Sequence, residues 1–226
     1  MLDRRTLVLG LGATALAGCN ATTTTVSGGA PSPSVDVLSS IQPNAFTAMY
    51  GAIPNEPFPI PAANTTKIDE KFFRQKVNYP TSEEPGTIIV DTNSYFLYLV
   101  MPGGKAMRYG VGLGRAGFGW NGRATMRVKK KWPSWVPPQE MIERQPELEK
   151  YSLANGGQGP GLSNPLGARA LYLFDDKGND TFYRIHGTRE EWSIGNAVSS
   201  GCVRMLNHDV IDLYNRAQLG VDVIVL

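Results

Sequence analysis

Cysteine and histidine are scarce in this sequence, which has two of each among its 226 residues. Structural zinc is commonly held by four such side chains, and no cluster of them occurs here, so no metal site is predicted. The excess of one sign of charge is also small, because 22 basic and 20 acidic residues leave a formal net charge of +2. That balance gives no electrostatic reason to expect a nucleic-acid partner.

The first apolar run, at residues 7–16, is too short to cross a bilayer, which takes about 20 residues. It follows Arg4 and Arg5 in the arrangement of a bacterial export signal. The run leads into Leu-Ala-Gly-Cys at residues 16–19, which resembles the lipobox of bacterial lipoproteins, and the paired arginines resemble a twin-arginine signal. We expect residues 1–18 to be removed and Cys19 to carry a lipid, the alternative being a secreted protein with a chance cysteine.

A lipid at Cys19 would anchor the protein to a membrane and expose it to the periplasm. Asn20 rather than Asp follows this cysteine, as in lipoproteins sorted to the outer membrane, which favours that membrane over the inner one. Cys202 would then have no partner for an intramolecular disulfide, so it is predicted to be a free thiol in an oxidising compartment. Chemical reactivity is the first explanation for such a thiol, and a buried inert cysteine is the alternative.

Composition divides the remaining chain into three parts. Residues 19–40 are rich in Thr, Ser, Gly, Ala and Pro and predict a flexible tether. Residues 41–85 combine aromatic residues with prolines and predict an irregular strap that packs on the main domain. Residues 86–226 are long enough for one full domain, and a second large domain is not expected.

Short β-branched and aromatic runs between turn residues predict that residues 86–226 are mainly β. This pattern favours an antiparallel, sandwich-like sheet over alternating helices and strands. One helix is expected soon after Cys202, with Asn207 as its cap and Gly220 as its end. The strands are expected at residues 87–91, 95–100, 106–112, 124–129, 170–175, 182–186 and 221–226.

Residues 132–165 interrupt this strand pattern with several prolines and glycines and a possible short helix at residues 137–142. An insertion of this length in a small β domain is often functional, so it is predicted to fold over a cleft as a lid. Trp132, Trp135 and Trp192 are expected to pack in the core or the lid, with cleft lining as the alternative.

Two segments near the C-terminus carry the candidate chemistry. The first is Tyr-Arg-Ile-His-Gly-Thr at residues 183–188, and the second is Ser-Ser-Gly-Cys-Val-Arg-Met at residues 199–205. A thiol with a pKa near about 8.5 is mostly protonated at neutral pH and needs a basic neighbour, for which His186 is the candidate. We expect the two groups to form an ion pair that lowers the pKa of the Cys202 thiol. His208 is expected on a solvent-facing side of the helix.

These motifs resemble the signature of the L,D-transpeptidase catalytic domain of the YkuD type, and residues 164–170 are similar to a third segment of that family. The resemblance covers roughly residues 86–226, although many members carry His where this chain has Ser200. It implies a cysteine transpeptidase that acts on peptidoglycan stem peptides without a cofactor. It also implies that a backbone carbonyl near Gly187 or Thr188 holds the imidazole of the base.

Several neighbours of the nucleophile are candidates for binding the substrate. Gly201 permits a close backbone approach, so its amide and that of Cys202 could form an oxyanion hole. Arg204 offers a guanidinium group for a substrate carboxylate, the alternative being an ordinary surface arginine. Further candidates for the oxyanion hole or substrate binding are Ser199, Ser200, Gly187 and Thr188.

The sequence leaves the acceptor of the acyl group open. The resemblance implies a thioester that an amine of another stem could resolve to give a 3-3 cross-link. An amine of an outer-membrane protein would give a protein attached to the wall, and water would make the chain an L,D-carboxypeptidase or amidase. A peptidoglycan-binding lipoprotein without catalytic activity is a further alternative, against which the presence of both His186 and Cys202 argues.

Overall fold

The computed structural model describes residues 48–114, 121–199 and 201–226. The expected signal peptide, Cys19, the tether and Ser200 lie outside these ranges. Within them, no helix is long and apolar enough to span a bilayer. The α-helices that lie wholly within these ranges are α1 (Gln139–Arg144) and α2 (Asn207–Arg216). The strands are β1 (Gln75–Asn78), β2 (Ile88–Asp91), β3 (Phe96–Met101), β4 (Lys105–Gly110), β5 (Leu113–Gly114), β6 (Gly122–Lys131), β7 (Arg169–Phe174), β8 (Asp180–Thr188), β9 (Ala197–Ser199), β10 (Val203–Leu206) and β11 (Asp222–Val225).

Nine of these strands form one sheet in the order β1-β4-β3-β2-β11-β6-β7-β8-β10, and β5 pairs with β9 in a small second sheet. The prediction of a mainly β domain is confirmed. The large sheet is mixed, however, because β2 with β11 and β8 with β10 run parallel while its other described pairs are antiparallel. Strands β1, β5, β9 and β10 were not expected from the sequence.

The main core lies between the two ends of this sheet. Tyr109 of β4 and Met205 of β10, which lie near opposite edges of the sheet, are both fully buried in one apolar cluster. The sheet therefore curls around its core, and α2 adds Val210 and Leu213 to the same cluster. Each such side chain contributes about 1.5–3 kcal/mol when it is fully buried.

Helix α2 departs from the expected boundaries. Strand β10 separates it from Cys202, and its first residue is Asn207, whose side chain does not cap the helix. The Asn207 Oδ1 instead accepts a hydrogen bond from the Ala168 amide at 2.9 Å. The helix ends at Arg216, before Gly220, because Ala217 already has extended backbone angles.

The strap covers one end of α2 and β10. Its buried aromatic side chains form a second apolar cluster with Leu206, and Phe72 lies against Gly110. His208 is buried beneath this strap, where its Nε2 lies 2.8 Å from the Gly51 carbonyl oxygen. The expectation that His208 faces solvent is therefore wrong, because residues far away in the sequence cover that side of the helix.

One buried side-chain amide holds the C-terminal end of the insertion at residues 132–165 in place. The Nδ2 of Asn164 donates hydrogen bonds of 2.9–3.1 Å to the carbonyl oxygens of Pro133, Gln158 and Gly159. Trp132 is buried as expected, and its Nε1 donates to a carboxylate oxygen of Glu56 in the strap at 2.7 Å. The role of the insertion as a lid stays a prediction.

A buried acidic network joins the strap to α2. Asp209 is 1% exposed, accepts a hydrogen bond from the Tyr50 hydroxyl at 3.2 Å and lies 3.5 Å from the Arg74 guanidinium. Its Oδ1 has no hydrogen-bond partner among the residues that the structure describes. Burial raises the pKa of Asp209 to about 7, so the carboxyl group is protonated in the folded protein under mildly acidic conditions.

We predict that Asp209→Asn removes a pH-dependent contribution to stability. Between pH 3.8 and about 7 the folded Asp209 binds a proton that the unfolded chain has lost, so its contribution falls as pH rises. Denaturant unfolding of both proteins across this window should show the variant gaining about 1.4 kcal/mol per pH unit relative to the parent. A difference that stays constant with pH would contradict the assignment.

Candidate active site on strands β8 and β10

The alternation of side chains along β8 and β10 separates the core from the site. Ile185, Val203 and Met205 point into the main core, so the alternate positions point to the opposite face of the sheet. His186 and Arg204 occupy such positions and are partners in the parallel register of the two strands. Both candidate segments therefore meet side by side on one face.

Cys202, the predicted nucleophile, lies directly before the first residue of β10. Val203 pairs with Ile185, so extending the register places Cys202 beside Arg184, two residues from His186. Standard strand spacings then put the Cα atoms of Cys202 and His186 about 8 Å apart, a gap that their two side chains can bridge. The register thus places Cys202 next to the strand that neighbours His186, and their catalytic pairing stays a prediction.

His186 is held in one tautomer by its neighbour. Its Nδ1 lies 2.9 Å from the Gly187 carbonyl oxygen, as the family resemblance implied. A carbonyl oxygen only accepts, so Nδ1 carries the proton and Nε2 keeps the lone pair of a base. Burial lowers the pKa of His186 from 6.5 to about 4, although the Gly187 contact opposes this change.

The pKa of the Cys202 thiol is shifted in the direction opposite to the one expected for an ion pair with His186. Burial raises the pKa of this thiol, while the backbone of Arg184 and the charges of Arg184 and Arg204 lower it to a smaller extent. The raised pKa of the thiol and the lowered pKa of His186 both favour the neutral form near pH 7 in the resting protein. These directions do not favour the expected thiolate–imidazolium pair in the resting protein, because desolvation disfavours the charged form of each group.

The backbones of Gly167 and Gly187 and the side chain of Asn207 are packed tightly together next to His186. A Cβ atom on Gly187 would lie 2.3 Å from the Asn207 Oδ1, and one on Gly167 would lie 2.4 Å from the same atom. Gly167 also has a φ of 60°, which favours glycine. Asn207 therefore fastens the loop before β7 to the backbone that orients His186, a positioning role that the sequence did not indicate.

The backbone before the nucleophile is similarly tight. Gly201 has a φ of 130°, and a Cβ atom on Gly114 would lie 2.1 Å from the Gly201 nitrogen. The conformation and the contact explain why glycine occupies both positions. Ser199 is the last residue of β9, and Ser200 lies outside the described residues.

A cleft of about 640 Å³ runs beside the catalytic strands. Thr188 and Arg204 line one part of it, and residues 162–165 at the end of the insertion line another. Thr188 is buried, and its Oγ1 accepts a hydrogen bond from the Glu190 amide at 3.0 Å. Trp192 also lines the cleft and is 51% exposed, so the expectation that it packs in the core or lid is wrong.

Arg204 is neither free nor an isolated surface arginine. Its Nη1 lies 2.6 Å from the Oε2 of Glu190, which also lines the cleft. The sequence analysis did not consider Glu190, since nothing marks one acidic residue before a turn as a partner for an arginine fourteen positions away. In the described ranges, no group of three or more His, Cys, Asp or Glu side chains could hold a metal ion.

Comparison with known proteins places this site in a family. The model of the family described as YkuD, L,D-transpeptidase catalytic domain, matches residues 85–225. A probable L,D-transpeptidase ErfK/SrfK of Escherichia coli (strain K12) is 29% identical over 156 residues, covering 66% of this chain and 46% of that protein. Its Salmonella typhimurium counterpart is 27% identical over 190 residues, covering 79% and 57%. This chain spans about half the length of the curated relatives it matches.

One solved structure, from Brucella melitensis, is described as a probable carnitine operon oxidoreductase. It is 46% identical, covers 72% of this chain and 99% of its own, and has a TM-score of 0.49. The described activity concerns the Brucella protein alone. The family match extends over both strands of the site and includes Cys202 and His186, so this chain belongs to the L,D-transpeptidase catalytic domain family of the YkuD type.

Proposed function

We propose that this protein is a cysteine-dependent L,D-transpeptidase that transfers peptidoglycan stem peptides through a thioester on Cys202. The observation that supports the proposal is the parallel pairing of β8, which contains His186, with β10, which begins directly after Cys202, within the matched family domain. The Gly187 carbonyl supports it further, because it leaves the His186 Nε2 available to accept a proton.

The reaction begins from two neutral groups. As the Cys202 sulfur attacks the carbonyl carbon of the L-centre of diaminopimelate in a donor tetrapeptide, His186 Nε2 takes the thiol proton. The amides of Gly201 and Cys202 would stabilise the tetrahedral oxyanion. Collapse breaks the bond to the terminal D-Ala, whose nitrogen receives the proton from His186, and leaves a thioester.

The second half of the reaction reuses the base. His186 accepts a proton from an incoming amine, which attacks the thioester, and Cys202 leaves and is protonated again. If the amine belongs to another stem, the product is a 3-3 cross-link. If it belongs to an outer-membrane protein, that acceptor protein becomes attached to the wall. Shielding from water would favour either amine over hydrolysis, and residues 162–165 form part of the wall that could provide it.

A periplasmic location on a lipid anchor is part of the proposal. It rests on the export signal and on Cys19, with Asn20 favouring the outer membrane. An anchor of this kind would hold the domain beside its polymeric substrate. Mass analysis of the mature N-terminus tests it, because a lipidated Cys19 and an unmodified start elsewhere differ by the mass of the acyl chains.

Purified sacculi provide the test of the reaction. We predict that the chain from residue 19 onwards, with Cys19→Ser to keep it free of lipid, produces new muropeptide dimers that mass spectrometry detects. Cys202→Ala serves as the control and should produce none. Trimmed stems without dimers would instead identify a hydrolase, and unchanged muropeptides would identify a protein that only binds the wall.

A further inference from the structure

The ion pair between Arg204 and Glu190 is placed where it can control binding in the cleft. Arg204 is the register partner of His186, and the pair joins two residues that line the same cleft. The distance of 2.6 Å corresponds to a charge-assisted hydrogen bond. The Arg204 side chain is 21% exposed and that of Glu190 is 47% exposed, so the carboxylate is the more accessible partner.

Glu190 combines a fixed backbone with a side chain that can turn away. Its amide donates to the Thr188 Oγ1 at 3.0 Å, and its carbonyl oxygen accepts from the Ser193 Oγ at 2.6 Å. Thr188 and Ser193 are both buried, so they hold the turn in place. The half-exposed carboxylate can therefore leave Arg204 for solvent without any rearrangement of the backbone.

The cleft also contains positive charge without such a partner. Arg189 and Lys67 line it, and neither has an acidic partner within 4 Å among the described residues. The carboxylate of the adjacent Glu191 accepts a hydrogen bond from the Asn64 amide at 3.4 Å and is not paired with Arg204. Glu191 also lines the cleft, so its three basic and two acidic side chains leave an excess of one positive charge, which favours an anion, while Glu190 occupies the arginine that pairs in register with His186.

We propose that Glu190 is a specificity-determining residue that competes with the substrate, by holding Arg204 until a carboxylate of an acidic donor peptide replaces it. This inference rests on the proposed function for the identity of the donor. The ligand class follows from the charge pattern, because only an anion that can bind a guanidinium gains from displacing Glu190. Donors without a free carboxylate gain nothing and bind in the presence of the intact pair.

Competition of this kind reduces apparent affinity by the fraction of molecules in which Arg204 is available. A pair that is closed in about 70–90% of molecules would weaken binding about 3–10-fold. Glu190→Gln keeps the size of the side chain but removes its charge, so it should restore that affinity. Glu191→Gln removes a charge next to it and leaves the pair intact, which makes it the matched control.

Calorimetry with the Cys202→Ala protein measures binding without turnover. The probes are a synthetic donor tetrapeptide containing diaminopimelate and the same peptide amidated at every carboxyl group. We expect Glu190→Gln to lower the Kd of the acidic peptide about 3–10-fold and to leave that of the amidated peptide unchanged. Glu191→Gln should change either value less than twofold, and adding Arg204→Ala should abolish the gain from Glu190→Gln.

An equal effect of Glu190→Gln on both peptides, or a gain that persists without Arg204, would overturn the inference. So would an unchanged Kd of the acidic peptide. The proposed function is tested separately by acylation of the protein that retains Cys202. Binding that depends on Glu190 in a protein that forms no thioester would support the inference and reject the transpeptidase reaction.

Discussion

Replacing His186 by Gln is expected to slow acylation of Cys202 by a donor peptide about 10²–10⁴-fold, the usual contribution of a general base. The effect is large because the thiol starts protonated, since burial raises its pKa, and no other described group has been placed to take its proton. The Gln amide cannot accept the thiol proton. Intact-protein mass spectrometry of the acyl-enzyme at short times measures the rate.

The pH profile gives a second readout of the same change. His186 acts as a base only when it is neutral, and its pKa of about 4 keeps it neutral as pH falls from 7 to 5. Acylation by the parent should therefore decline only near pH 4, and this decline should disappear in His186→Gln. His208→Gln is the control, because His208 is also buried and bound to a backbone carbonyl yet lies outside the site. A decline near pH 6.5 in the parent would contradict the buried neutral base.

Replacing Gly187 by Ala should impair both stability and catalysis without changing any functional side chain. The new methyl group would lie 2.3 Å from the Asn207 Oδ1 and 3.0 Å from Val210 Cγ1, so the strand or the helix must move. Such overpacking costs about 1–3 kcal/mol of unfolding free energy. The Gly187 carbonyl moves with its own backbone, and misplacing a catalytic group by about 1 Å can lower a rate 10²-fold.

Gly159→Ala is the matched control for this substitution. A Cβ atom there meets nothing within 4 Å, and Gly159 does not have a positive φ. Its stability and acylation rate should equal those of the parent. Both rates are measured well below the unfolding midpoint of Gly187→Ala, so that loss of fold is separated from loss of orientation. Full activity in a folded Gly187→Ala protein would show that the carbonyl does not need its present position.

Much of the fold was predictable because the strand signal is local. Runs such as residues 95–100 carry enough β-branched and aromatic side chains to identify β3 without any knowledge of its partners. Strand β10 was missed because it has only four residues and lies between the nucleophile and a clearer helix. Its parallel pairing with β8, which creates the site, depends on a contact between distant segments.

The site was predictable to the extent that its chemistry resides in single side chains. His186 and Cys202 stand out because histidine and cysteine are rare here, and the resemblance supplied their pairing. Asn207 was assigned to a helix cap because the same amide can bond a neighbouring or a distant backbone, and local sequence does not distinguish them. The direction of both catalytic pKa shifts depends on burial, which is a property of the folded chain.

The raised pKa of the Cys202 thiol also bears on its chemical durability. Peroxides and disulfides react with thiolates, and a raised pKa keeps the thiolate scarce in the resting protein. The raised pKa would thereby slow the consumption of the proposed nucleophile by oxidants between catalytic cycles. Its reaction with hydrogen peroxide at neutral pH should then be slower than that of free cysteine.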